Sequence, residues 1–263
     1  MALWEIILLG IIQGITEFLP VSSSGHLVVA NAVLEAFGRE GVKDLVEVSI
    51  VLHVGTLGAV LVFYRQEIVR LLGADRRVIL LLIVGTIPAA TFGLLVKKSL
   101  SDDLILENPL VAGLMFPITA VALLWVARRP EGTTDYPQLT WQKLLVIGLV
   151  QAVAVLPGIS RSGFTIAAGL GTGLNRQAAA TFAFLLAIPA IGGAGLLEGM
   201  DALSKGTTGT HPVNLAVGLL VSFAVGWVAL KLLVRWVQRG QLAGFAYYLL
   251  PLGMAVVAWV AWR

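Results

Sequence analysis

Long apolar stretches separated by short charged segments are the feature that most constrains this chain. Each stretch holds about the 20 apolar residues needed to cross a bilayer, and charges gather in segments such as 65–77, 128–143 and 235–239. Only 13% of the 263 residues are charged and 58% are hydrophobic, whereas soluble domains are about 25% charged. The repetition excludes a single anchor and predicts an all-α integral membrane protein.

Six transmembrane spans are predicted where an apolar run lies between charged segments. The spans are 48–64, 78–97, 109–127, 177–198, 213–236 and 243–262. The apolar N-terminus is read as a retained segment and not as a signal peptide, because Glu5 replaces a basic start and Glu17 interrupts the position of a cleavage site. The sequence has no cysteine, which excludes disulfides and thiolate metal ligands.

Two further apolar segments, 4–34 and 141–174, are each interrupted in the middle by a Pro, Gly and Ser cluster. The clusters read PVSSSG at 20–25 and PGISRSG at 157–163. A break at membrane depth leaves backbone amides and carbonyls unpaired, and it is tolerated only where protein or a water-filled cavity satisfies them. We therefore predict that both segments are re-entrant helical hairpins.

An internal repeat relates the two interrupted segments. A shift of 138 residues places Gln13 on Gln151 and Ser22 on Ser160. Within a single membrane domain the two units are about 1–128 and about 139–263. Each unit has one hairpin and three spans, and an odd number of spans inverts the second copy relative to the first. In such an inverted repeat the hairpins meet near the midplane and form the site.

The distribution of basic residues predicts an orientation. The side of the membrane that holds 65–77, 128–143, 175–176 and 235–242 collects eleven Lys and Arg against six on the other side, which places it in the cytoplasm and places both termini and the active site outside. The net charge of +3 is small and spread over loops. It favours contact with lipid headgroups and no nucleic-acid partner.

Glu17 and Arg161 lie inside the two interrupted segments, where a charge is costly. Each is a functional candidate, with the other as its possible partner. The alternative is a buried ion pair that has only the structural role of tying the two repeats together. The polar side chains and turn glycines predicted to surround them are Gln13, Ser22, Ser23, Ser24, Gly25, His26, Gln151, Gly158, Ser160, Ser162, Gly163 and Thr165.

This set of residues can hydrolyse a phosphoanhydride. Arg161 is forked and permanently charged, which suits phosphate oxygens, and the amides of a Gly/Ser turn that opens a helix add donors for an anion. Glu17 can hold a divalent cation or act as acid or base, and His26 can activate a serine, attack phosphorus or protonate the leaving oxygen. A serine run is more often a helix cap, and only its place beside Glu17 and His26 makes Ser23 a candidate. His53, at the start of a span, is read as structural.

The strings QGITEFLPVSSSGH at 13–26 and PGISRSG at 157–163 resemble the two signature motifs of the undecaprenyl-diphosphate phosphatase family, also called the bacitracin-resistance protein. The resemblance extends to length, span number and motif spacing. It implies a bacterial inner-membrane phosphatase with six spans and two opposed re-entrant hairpins. Such an enzyme removes the terminal phosphate from undecaprenyl diphosphate and returns the monophosphate carrier to cell-wall synthesis. A homodimer is a further expectation.

The resemblance also implies roles for individual residues. Ser23 would be the nucleophile, His26 the essential histidine and Arg161 the phosphate-binding arginine. Gln13 and Glu17 would form the family's Glu/Gln-x-x-x-Glu pattern, with Mg²⁺ or Ca²⁺ as cofactor, and because Gln13 is uncharged the metal would depend more on Glu17. Attack by Ser23 and direct attack by His26 give the same products, and the sequence does not separate them.

A polyprenyl-phosphate transporter or flippase is the alternative function, since inverted repeats with broken helices at the midplane are typical of secondary transporters. A carrier needs an anion clamp but no nucleophile and no acid/base pair. Glu17, Ser23, His26 and Arg161 together therefore favour the enzyme.

Overall fold

The structure, a computed structural model, describes residues 2–37, 45–99, 105–205 and 210–262. Eleven α-helices and one short 3-10 helix make up most of this part of the chain. In chain order the α-helices are α1 (Leu3–Phe18), α2 (Ser23–Ala36), α3 (Leu45–Phe63), α4 (Arg65–Leu72), α5 (Arg76–Ser99), α6 (Pro109–Ala127), α7 (Trp141–Val153), α8 (Arg161–Gly171), α9 (Arg176–Lys205), α10 (Pro212–Gln238) and α11 (Ala243–Trp262).

Five helices, α5, α6, α9, α10 and α11, are long and apolar enough to cross a membrane. These five coincide with the predicted spans that begin at 78, 109, 177, 213 and 243. The predicted span at 48–64 corresponds to α3, which reaches the same criterion only together with α4, and the two helices are bent by 72°. The described part of the chain is therefore all-α and multi-pass in character.

The two interrupted segments fold as pairs of short helices. The first hairpin is α1 with α2, and the second hairpin is α7 with α8; within each pair the helices pack on one another. The helices have 16, 14, 13 and 11 residues, which is about 16–24 Å at 1.5 Å per residue and too short for a hydrocarbon core of about 30 Å. Pro20 and Pro157 lie in the two turns, where proline prevents the first helix from continuing.

Each hairpin packs its first helix against a long helix from the other half of the chain. Helix α1 lies along α10, and α7 lies along α5. Both contacts are close because glycines face each other: a Cβ added at Gly14 would lie 2.9 Å from the backbone nitrogen of Gly226, and one at Gly148 would lie 2.8 Å from the carbonyl oxygen of Gly85. Small residues allow this approach of two backbones. Each hairpin is thus packed against a helix from the half of the chain to which it does not belong.

Large apolar side chains lie on the outside as well as in the core. Phe18, Phe116 and Phe184 are fully buried between helices. Leu80 on α5 and Leu220 on α10 are at least half exposed. In a chain with several apolar helices, exposed apolar side chains of this kind belong to a surface that contacts lipid or another protein.

Candidate active site

The turns of the two hairpins are joined by direct hydrogen bonds. The Gly158 amide donates to the Ser22 hydroxyl at 3.0 Å. Thr119, on α6, donates its hydroxyl hydrogen to the Gly158 carbonyl at 2.9 Å and accepts from the Ser160 amide at 3.0 Å. A Cβ added at Gly25 would lie only 2.7 Å from the Gly158 nitrogen. The predicted convergence of the two motifs is therefore present in the structure.

Serine hydroxyls cap the helix that follows each turn. Ser22 accepts from the Gly25 amide at 3.3 Å, and Ser160 accepts from the Gly163 amide at 3.1 Å. Ser22 has φ of +72°, a left-handed conformation that costs an ordinary residue roughly 1–2 kcal/mol. Strained residues of this kind cluster at functional sites. Because the Ser22 hydroxyl accepts from the Gly25 amide, the interpretation of the serine run as a helix cap applies to Ser22.

Glu17 is the centre of the charged cluster. Its side chain is 4% exposed. The Oε1 of the carboxylate forms an ion pair with Arg161 and accepts a hydrogen bond from its Nη2. The Oε2 accepts from Ser23 Oγ at 2.6 Å and from Gln13 Nε2 at 3.0 Å. The Arg161 guanidinium has five N–H donors, so the ion pair leaves donors for a second anion. Glu17 and Arg161 are partners, as the sequence predicted.

His53 reaches the same carboxylate from α3. Its Nδ1 lies 2.7 Å from the Ser49 carbonyl oxygen, and because a carbonyl only accepts, the proton of a neutral ring is on Nδ1. Its Nε2 faces Glu17 Oε2 at 3.5 Å. The sequence predicts a structural role for His53, whereas in the structure the ring joins the charged cluster. A local signal for this was the spacing of one helical turn between Ser49 and His53, two polar residues in an apolar span.

His26 faces away from Ser23 and toward α11. Its Nδ1 lies 2.7 Å from the Ser22 carbonyl oxygen, and its Nε2 lies 2.8 Å from the Tyr248 hydroxyl. The ring stacks on Tyr248 and meets Phe116 edge-on. Ser23 donates to Glu17 instead. The hypothesis that His26 activates Ser23 is therefore not the arrangement found, because both ring nitrogens of His26 have other partners.

Of the remaining predicted residues, some bond to the turns of the two hairpins and others do not. Ser162 donates to the Leu19 carbonyl at 3.3 Å, which ties the second turn to the first. Thr165 donates to the Arg161 carbonyl within α8. Ser24 is exposed, and its Oγ lies 3.4 Å from the Oγ of Ser22. Gln151 is buried, and both of its side-chain polar atoms are without a hydrogen-bond partner in the described residues.

Gln13 provides a test of whether the site suits a divalent cation. The amide nitrogen must face the Glu17 carboxylate, so the Oε1 is the atom left over. That oxygen is fully buried and has no hydrogen-bond partner among the described residues. Buried polar atoms are rarely unpaired in folded proteins, and amide and carboxylate oxygens suit Mg²⁺ and Ca²⁺. The donor set fits an oxygen-binding cation that takes its other ligands from water or substrate, since no cluster of three Asp, Glu or His side chains occurs in the part of the chain described.

Comparisons with known proteins found one family and several relatives that this chain is similar to. The family described as "Bacitracin resistance protein BacA" matches residues 6–255. The undecaprenyl-diphosphatase of Rhodopirellula baltica is 46% identical over 254 residues, which cover 96% of each chain. The undecaprenyl-diphosphatases of Desulfosudis oleivorans and Methanosphaera stadtmanae are 44% and 35% identical over 98% and 95% of both chains.

Proposed function

This chain belongs to the family of the bacitracin resistance protein BacA, and from that premise we propose that it hydrolyses undecaprenyl diphosphate to undecaprenyl phosphate and inorganic phosphate. Similar proteins named undecaprenyl-diphosphatase cover nearly the whole chain. Bacitracin resistance and recycling of the lipid carrier follow from that activity. The observation in the site that carries the proposal is the contact of Ser23 with Glu17 beside Arg161.

In the proposed mechanism Arg161 holds the terminal phosphate. Its guanidinium presents donors in a planar fork that matches phosphate oxygens, and its ion pair with Glu17 fixes where that fork lies. The amides of the capped turns add N–H donors at a helix start. Charge neutralisation and positioning supply most of the catalysis in phosphoryl transfer. Arg161 therefore serves ground-state binding and the transition state alike.

Ser23 is the proposed nucleophile and Glu17 its base. The hydroxyl hydrogen is directed at the carboxylate across 2.6 Å, a distance within which a general base takes a proton. Ser23 Oγ would form a bond to the terminal phosphorus, the bond from phosphorus to the bridging oxygen would break, and undecaprenyl phosphate would leave. Water would then hydrolyse the phosphoserine and release inorganic phosphate.

His26 is assigned to the leaving group in this proposal. A neutral ring with its proton on Nδ1 leaves Nε2 as the atom that can gain and lose a proton. Protonated His26 could give that proton to the leaving phosphate oxygen. Direct attack by His26 Nε2 is the alternative, and in either role the Tyr248 hydroxyl would have to leave Nε2 when the substrate binds.

Gln13 Oε1 and the Glu17 carboxylate are the residues proposed to hold a Mg²⁺ or Ca²⁺ ion. When bound, such an ion neutralises phosphate oxygens and polarises phosphorus for attack. In the structure the Gln13 amide nitrogen donates to the carboxylate, so the amide would have to turn for its Oε1 and the carboxylate to hold one ion. Phosphate release with added chelator, and recovery with each metal, tests this part.

The membrane arrangement is proposed from the helix lengths and contacts. Six spans, with α3 and α4 as the bent one, and two re-entrant hairpins make an inverted repeat in a bacterial inner membrane. Support comes from the exchange of packing partners, α1 with α10 and α7 with α5. The active site is proposed to open outside. Because the chain has no cysteine, a Ser24→Cys variant gives one label, and modification from the cytoplasm only would reverse the orientation. A homodimer stays a prediction from the sequence.

Phosphate release from undecaprenyl or farnesyl diphosphate by the detergent-purified protein tests the activity. We expect Glu17→Gln and Ser23→Ala to lower kcat at least about 100-fold, as loss of a base or nucleophile does. Ser24→Ala is the matched control, since Ser24 is an exposed neighbour. No release by folded wild-type protein would favour transport alone. Equal activity of Ser23→Ala and Ser24→Ala would remove Ser23 as nucleophile.

A further inference from the structure

Tyr248 contacts His26 from the far end of the chain. It lies on α11, and its hydroxyl is 2.8 Å from His26 Nε2 across 222 residues of sequence. The two rings are stacked, with centroids 5.8 Å apart and planes 15° apart. We propose that Tyr248 is the positioning residue of His26, holding the imidazole in one orientation for the reaction proposed above, on which this inference rests.

The hydrogen bonds of His26 determine what the Tyr248 hydroxyl does. The Ser22 carbonyl can only accept, so the Nδ1 that lies 2.7 Å from it carries a hydrogen. A neutral His26 ring then has its lone pair on Nε2, and the Tyr248 hydroxyl donates to it. When Nε2 gains a proton, the same hydroxyl oxygen can accept, because a phenol is both donor and acceptor. The contact therefore persists in both protonation states.

The surroundings fix the plane of the ring. Phe116, on α6, meets His26 edge-on with centroids 5.1 Å apart. Tyr248 covers another side by stacking. Three helices, α2, α6 and α11, thus hold one imidazole between two aromatic rings. A group that transfers protons needs this fixed orientation, since the partner of one ring nitrogen sets the tautomer at the other.

Packing alone does not explain Tyr248. The residue is 47% exposed, so about half of its surface stays in contact with solvent or lipid. The hydroxyl nevertheless lies on the one ring nitrogen of His26 that no backbone group occupies. Tyr248→Phe would keep the stacked ring and remove only this oxygen. A structural role and a positioning role therefore predict different results for one substitution.

The chain offers a matched control in the next residue. Tyr247 is on the same helix and is 69% exposed, so Tyr247→Phe removes a hydroxyl from the same helical turn without approaching His26. We expect Tyr248→Phe to lower kcat about tenfold, as loss of one hydrogen bond to a reacting group does, with KM and melting temperature unchanged. Tyr247→Phe should have the activity of the wild type.

A double-mutant cycle tests whether Tyr248 acts through His26. In a His26→Ala background, Tyr248→Phe should cause no further loss, because coupled residues are not additive. Equal losses in the two backgrounds would overturn the proposal. Wild-type protein without phosphatase activity would instead defeat the proposed function, so the two failures differ.

A spectroscopic measurement is independent of activity. The chain has 3 histidines, so ¹⁵N labelling of histidine gives three imidazoles, and His26→Ala identifies the signal of interest. We expect protonated Nδ1 and hydrogen-bonded, unprotonated Nε2 in the wild type. In Tyr248→Phe the Nε2 signal should shift because the nitrogen loses the hydroxyl hydrogen, whereas Tyr247→Phe should match the wild type. An unchanged His26 signal in Tyr248→Phe would overturn the positioning role.

Discussion

A methyl group at Gly25 should separate the two turns of the active site. Its Cβ would lie 2.7 Å from the Gly158 nitrogen, 2.9 Å from the Gly158 Cα and 2.8 Å from Phe116 Cε1. Contacts of this kind are optimal at about 3.5 Å or more, so the turns would have to part by roughly 0.8 Å. Backbone atoms on the Gly158 side leave no flexible side chain that could turn away.

The expected size of the effect follows from that displacement. Overpacking typically destabilises a protein by about 1–3 kcal/mol. The same movement carries Arg161, which follows the second turn, away from Glu17 and Ser23, which flank the first. Misplacement of reacting groups by about 1 Å can lower a rate about 100-fold. Gly25→Ala should therefore lose roughly 10- to 100-fold in kcat/KM and melt at a lower temperature.

Phosphate release from farnesyl diphosphate and thermal unfolding of the same detergent preparation measure both effects. Gly244→Ala is the matched control, because no described atom lies within 4 Å of the added Cβ and alanine favours a helix by up to about 1 kcal/mol. Both turns should remain joined in that variant. If Gly25→Ala had the kcat/KM and melting temperature of the wild type, the reasoning about contact between the turns would be wrong.

Three further substitutions test single contacts of the cluster. Arg161→Lys keeps the charge beside Glu17 but loses the fork, so phosphate release should fall about 100-fold with little change in melting temperature; unchanged kinetics would refute the phosphate role. His53→Ala should lower kcat/KM about tenfold by removing the ring that faces Glu17, and His211→Ala, at an exposed helix start, should not. Ser22→Gly should melt above Ser22→Ala, because both lose the hydroxyl but only glycine relieves φ of +72°; the reverse order would contradict the strain.

The sequence alone determined the membrane character and the location of the site. Spans could be read from it because a bilayer of fixed thickness requires a run of apolar residues, and α6 and α11 have the predicted limits. The interrupted segments could be read because proline and helix caps act locally. Glu17 and Arg161 stood out because a charge is costly at membrane depth.

Apart from the pair of Glu17 and Arg161, only the tertiary structure decided which of the predicted side chains are partners. Ser23 was expected to use His26 three residues away, but it donates to Glu17, and His26 contacts Tyr248 instead. His53 reaches Glu17 from another helix. Contacts of this kind depend on how helices distant in the chain rotate and pack against one another. No hydrophobic pattern records that rotation, because lipid tails are as apolar as a helix interface and leave no contrast between the two faces of a span.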